Sequence, residues 1–253
     1  MGFFRRIQMV WQGMPYQSLD PAQILLTTER LERRVVERFP ERGLARVASE
    51  VVGLARQVAG EVEALTPPIW GLRGLVAGVV LAGAAIFLWV GSIIPLSQVG
   101  RDAVGSVQSI EAAINTFLLA MLGFVALVRL EARVKHRRVG RGLHRLRSVI
   151  HVIDMHQLTK DPVVLGQDYQ ATAHSPLRDL TPVETSRYLD YCSELLAITG
   201  KLAALYAQAV PNEGVAAAVN DIELLGASLS RKIWHKITLI DTQKPARKKR
   251  VPE

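Results

Sequence analysis

The sequence predicts an all-α chain: a two-span transmembrane helical hairpin continuous with a cytoplasmic helical bundle. Three observations predict it. Two long uncharged apolar runs, Gly74–Leu96 and Ala112–Val128, lie a short connection apart. Basic residues crowd the far flank of the second run. On both sides of the pair, apolar residues recur at helical spacing behind helix-start signals, with no run of alternating strand pattern and no internal repeat.

Residues 1–19 form an N-terminal segment. Arg5 and Arg6 precede only the short run Ile7–Trp11, interrupted by Gln8, whereas a secretory signal core needs roughly 7–15 apolar residues. Phe3, Phe4, Ile7, Val10 and Trp11 can share one face of a short interfacial helix, the alternative being a disordered or core-docked terminus.

Residues 20–66 read as cytoplasmic amphipathic helices. Asp20-Pro21 is an N-cap followed by proline at the first helical position, and that helix stops near Pro40. Leu44, Val47, Val51, Leu54, Val58, Val62 and Leu65 then repeat every three or four residues, with Arg and Glu on the other face. The stripe can pack on C-terminal helices of the same chain or pair with a second copy as a coiled coil.

The first span falls within residues 70–97. Gly74–Leu96 is 23 residues without a charge, enough for a hydrocarbon core that takes about 20. Trp70 and Arg73 sit where headgroups would hold them. Gly74, Gly78 and Ala82 share a face open to close helix approach, either by the second span or by another subunit. Residues 98–111 read as an external loop with one basic residue, Arg101. The second span, 112–130, has an apolar run of only 17 residues, containing Asn115 and Thr116. No carboxylate, His or Lys lies mid-span, so an ion-coupled transport path is unsupported.

Residues 131–158 continue as a long basic helix, weakened by Gly140 and Gly142. The stretch 129–147 carries eight Lys/Arg against one acid, Glu131, and the tail 244–250 carries five with none. The rest of the chain sums to −4, so the net charge of +8 comes from two short segments. By the positive-inside rule the basic flank is cytoplasmic, and two spans bring the N-terminus to the same side. Arg129, Arg133, Lys135, Arg137, Arg138 and Arg141 are therefore candidate contacts for anionic lipid headgroups. Nucleic acid is disfavoured, because no aromatic residues interleave with these charges to stack on bases.

A polar loop, 159–180, leads to a helical hairpin over 181–240. Thr181-Pro182-Val183-Glu184 combines N-cap, first-turn proline and capping-box glutamate. Leu189, Cys192, Leu195, Leu196, Thr199, Leu202 and Tyr206 follow at helical spacing. Pro211–Gly214 turns the chain, and Val219, Ile222, Leu225, Leu229, Ile233 and Ile237 line the last helix. Residues 241–253 read as a basic disordered tail. Cys192, the single cysteine, reads as a buried small hydrophobe.

Candidate chemistry concentrates in His144–Asp161. His144 and His151 are seven apart and share a helix face, with Asp154 adjacent and His156 on another side. They are weak candidates for a divalent metal site, since the paired histidines and intervening Glu of a zincin helix are missing. Phosphate-loop, dinucleotide-binding and nucleophile-elbow patterns do not occur. No cofactor is indicated, and the chain leans away from being an enzyme.

Three functions follow. The first is a membrane-anchored interaction or scaffold protein in a bacterial inner membrane, contacting the lipid bilayer and acting as a homo-oligomer or with a protein partner. The second is an oligomeric pore-forming or membrane-perturbing effector. In architecture alone the chain is similar to bacterial two-span effectors of the SLATT type, which pair a transmembrane hairpin with cytoplasmic helices. The third is a membrane-tethered metal-dependent enzyme using the His151/Asp154 region.

Overall fold

The computed structural model describes residues 18–93, 103–160, 172–175 and 179–242. The expectations for the first 17 residues, most of the 159–180 loop and nearly all of the tail lie outside them.

Seven helices follow in chain order among the described residues: α1 (Pro21–Arg38), α2 (Gly43–Leu65), α3 (Trp70–Ile93), α4 (Ala103–Val128), α5 (Leu130–Leu158), α6 (Pro182–Ala209) and α7 (Glu213–Thr242). No strand occurs among these residues. The chain divides into two compact units, one of Met1–Thr66 with Val139–Glu253 and the other of Pro67–Arg138.

In the first unit the helix ends follow from the capping chemistry. Asp20 accepts the Ala22 N–H at 2.8 Å ahead of α1. At α6, the Thr181 hydroxyl accepts the Glu184 N–H while the Glu184 carboxylate accepts the Thr181 N–H at 2.8 Å, completing the capping box. The Asn212 side chain accepts the Gly214 N–H at 3.0 Å and opens α7.

These ends align the apolar stripes. Ile24, Leu31 and Val35 of α1 and Leu44, Val47, Val51, Val58, Val62 and Leu65 of α2 are buried. The α2 stripe packs within its own chain, against α1 and α6. The α6 stripe is buried along its whole length, from Leu189 to Tyr206. It pairs with α7 as a helical hairpin. From α5, Val139, Leu143, Leu146, Ile150 and Ile153 complete the same core. Phe39, at the turn after α1, meets the Tyr188 ring edge-on at 5.4 Å. Cys192 is fully buried, and burial pushes its thiol up to about 12.

The second unit has the opposite distribution. Its helices α3 and α4 touch each other, yet both expose large apolar side chains. The segment Gly43–Ile86 contains a window apolar and long enough to cross a membrane, and none of that window is buried. It is the one such segment among the described residues. Helix α4 begins at Ala103, inside the segment read from sequence as a loop, so its 26 residues exceed the 17-residue apolar run. An apolar run marks hydrocarbon-like composition, not where backbone hydrogen bonding starts.

Candidate membrane-contact surface

Trp70, Leu75, Val79, Leu81, Ile86 and Trp89 on α3 are exposed, as are Ile114, Phe117, Leu118, Leu119, Met121, Leu122 and Phe124 on α4. A helix apolar on all sides suits the interior of a large protein or a lipid environment. Contiguous exposed apolar patches of this extent mark interaction or membrane surfaces.

The small-residue stripe lies on this surface. Gly74, Gly78 and Ala82 are exposed, and a Cβ placed on Gly74 or Gly78 would meet nothing within 4 Å. The intrachain contact uses another face of α3: Leu72, Val76 and Val80 line a groove of about 380 Å³ with Phe124 and Leu127 of α4.

The groove has a charged end built on Glu131. Its carboxylate accepts from Arg73 Nε at 2.8 Å, Lys135 Nζ at 3.3 Å and the Ile69 N–H at 3.3 Å. The last of these satisfies a backbone donor at the start of α3, where four such groups lack helical partners. The Arg73 hydrogen bond holds the Glu131 carboxyl below the usual carboxylate range, outweighing burial. Lys135 also donates to the Pro67 carbonyl at 3.1 Å. Glu131 was legible in sequence only as the lone acid in a basic stretch; two of its partners, Ile69 and Arg73, lie about sixty positions upstream.

Of the basic residues singled out above, Arg129, Arg133, Arg137, Arg138 and Arg141 are exposed and Lys135 is half-buried against Glu131. The small-residue candidates, and all of the basic ones except Lys135, therefore occupy exposed positions.

The histidine candidates are not gathered. His144 and His151 are exposed on the outer face of α5. Asp154 accepts from Gln157 Nε2 at 2.6 Å. His156 turns the other way: a Cβ on Gly43 would come 2.3 Å from its Cε1, and its Nδ1 is 3.5 Å from the Tyr188 hydroxyl. Burial and the charges of Arg46 and Lys160 push His156 down. Among the described residues no group of three His, Cys, Asp or Glu is placed to hold a metal ion.

A polar cluster that sequence did not single out joins α2, α5 and α6. Glu61 accepts from Arg145 Nη2 at 2.6 Å, from Gln57 Nε2 at 3.1 Å and from the Tyr206 hydroxyl. Burial raises the Glu61 pKa, but these hydrogen bonds and the Arg145 charge outweigh it, and the net shift is downward. Tyr206 is fully buried, and its hydroxyl lies over Gly142, where a Cβ would be 2.1 Å away. Gly142 thus admits the tyrosine to α5. The cluster fastens α2, α5 and α6 together.

Elsewhere in the first unit, Trp234 and Val183 stay exposed and line a groove of about 270 Å³ with Arg187 and Asp190. Comparison with protein-family models, curated proteins and solved structures finds no match to this chain.

Proposed function

We propose that this chain is a membrane-anchored helical scaffold. Helices α3 and α4 cross the bilayer as a hairpin, and the helical first unit is held on the cytoplasmic side as an interaction body. The observation that carries the reading is the unburied apolar surface of α3 and α4. Fully burying one large apolar side chain is worth about 1.5–3 kcal/mol. Leaving this surface in water would forfeit on the order of 20 kcal/mol, against a typical net domain stability of about 5–15 kcal/mol. Lipid removes that conflict.

The orientation rests on charge. Exposed Arg129, Arg133, Arg137 and Arg138 follow α4 and suit a cytoplasmic leaflet rich in anionic lipid. A bacterial inner membrane fits this bias. The interaction role, with a protein partner or a second copy, is supported by the helical core assembled from α1, α2 and α5–α7. A pore-forming or membrane-perturbing oligomer is the second reading, favoured by the open Gly74/Gly78 stripe.

Reconstitution separates the two. The purified chain in dye-loaded liposomes is expected to insert, resist alkaline extraction and leave the vesicles tight. Dye release that scales with inserted protein would reject the scaffold reading in favour of the pore.

A further inference from the structure

We propose that the groove between α3 and α4 binds one anionic phospholipid, its phosphate on the Arg73 guanidinium and one acyl chain along the apolar walls. The inference rests on the hairpin reading above. The groove is charged at one end, at Arg73 and Glu131, and apolar beyond it, at Val76, Val80, Phe124 and Leu127. From Arg73 to Val80 an α-helix rises about 10 Å. The groove therefore runs from the start of α3 into its apolar stretch, the same polarity gradient as a phospholipid entering from the headgroup layer. Its volume of about 380 Å³ falls within the roughly 300–1,000 Å³ range of small-molecule sites.

Charge selects an anionic head. Two cations, Arg73 and Lys135, flank the single carboxylate of Glu131. The Arg73 side chain is 56% exposed, and its Nε donates to Glu131. A guanidinium has five donors in a planar fork that matches phosphate. Exposed Arg129 and Arg133 raise the local concentration of anionic lipid. Glu131 competes with the phosphate for Arg73, so it weakens the site while keeping the guanidinium in place.

Native mass spectrometry of the full chain in mild detergent tests this, with phosphatidylglycerol and phosphatidylcholine of equal acyl length as probes. One phosphatidylglycerol is expected to bind in preference to phosphatidylcholine. Arg73→Gln should lower its affinity about tenfold, the loss of one charge-assisted contact. Glu131→Gln should raise it, a gain that misfolding cannot mimic. Ala77→Trp, which fills the groove, should weaken both lipids. The proposal is overturned if both lipids bind alike. It is also overturned if Arg73→Gln binds as the parent does while Arg137→Gln/Arg138→Gln loses binding, which would reduce the effect to general surface charge. Alkaline extraction of the parent from membranes would overturn the hairpin reading itself; retention with an indifferent Arg73→Gln overturns the groove alone.

Discussion

Two glycines of α5, two positions apart, should respond to alanine with opposite signs. At Gly142 an added Cβ would sit 2.1 Å from the Tyr206 hydroxyl and 2.4 Å from its Cζ. Tyr206 is fully buried, so it can yield only by disturbing its neighbours. Overpacking of this kind costs about 1–3 kcal/mol. Displacing the hydroxyl from Glu61 weakens a hydrogen bond to a charged group, worth about 1.5–3 kcal/mol. Alanine returns about 1 kcal/mol of helix propensity. The net for Gly142→Ala is a loss of about 2–4 kcal/mol, which lowers Tm by roughly 5–15 °C at about 2–4 °C per kcal/mol. At Gly140 a Cβ meets nothing within 4 Å and the residue is exposed, so only the propensity gain applies. Gly140→Ala should raise Tm by about 2–4 °C. Thermal unfolding of the full chain in mild detergent, followed by circular dichroism at 222 nm, reads both shifts. A Gly142→Ala protein as stable as the parent would refute the packing of Tyr206 on α5. Combining it with Tyr206→Phe should recover only part of the loss, because the ring carbon also collides.

Other outcomes follow from the same contacts. The folded Glu61 carboxyl titrates below its ordinary value of 4.5, so its stabilisation is complete above that pH and disappears as pH falls through the lower folded value. Glu61→Gln should flatten that part of the acid limb in a Tm-against-pH series, and an unchanged limb would remove Glu61 as its source. His156 has a folded pKa below its ordinary 6.5, so the native state loses stability as pH falls from about 6.5 toward the folded value. His156→Gln should abolish that slope, and persistence of the slope would assign it to another group. Gly78→Leu meets open space in the single chain and should leave helicity unchanged. If the small-residue stripe joins subunits, light scattering in detergent will show a smaller particle; the same mass as the parent excludes that face.

Local chemistry was readable in the sequence because it acts over a few residues. The Asp20 cap, the Thr181–Glu184 box and the α2 and α6 stripes each depend on spacings of two to seven positions, and the structure places them so. What was not readable depends on distant partners. Glu61 and Tyr206 are 145 residues apart, and nothing near either marks the other. Gly142 and Gly140 are alike in sequence, both helix-weakening residues, and differ only in the tyrosine that lies over Gly142. The histidines shared a face by periodicity, but periodicity does not say which face turns outward. The α5 core face runs through Val139, Leu143, Leu146 and Ile150, which leaves His144 and His151 exposed. Charge count likewise marked Lys135 as a lipid contact without revealing that Glu131 and the Pro67 carbonyl already engage it.

Membrane crossing by α3 and α4, with both ends of the chain inside, is tested most directly by cysteine accessibility. Cys192 is fully buried with its thiol pushed up to about 12, so it gives a silent background. Single cysteines at Gln98→Cys and Ser18→Cys can be exposed to a membrane-impermeant maleimide in intact spheroplasts and again after permeabilisation. Gln98→Cys is expected to label in intact spheroplasts and Ser18→Cys only once the membrane is opened. Labelling of both positions on the same side, or of Ser18→Cys alone in intact spheroplasts, would contradict it.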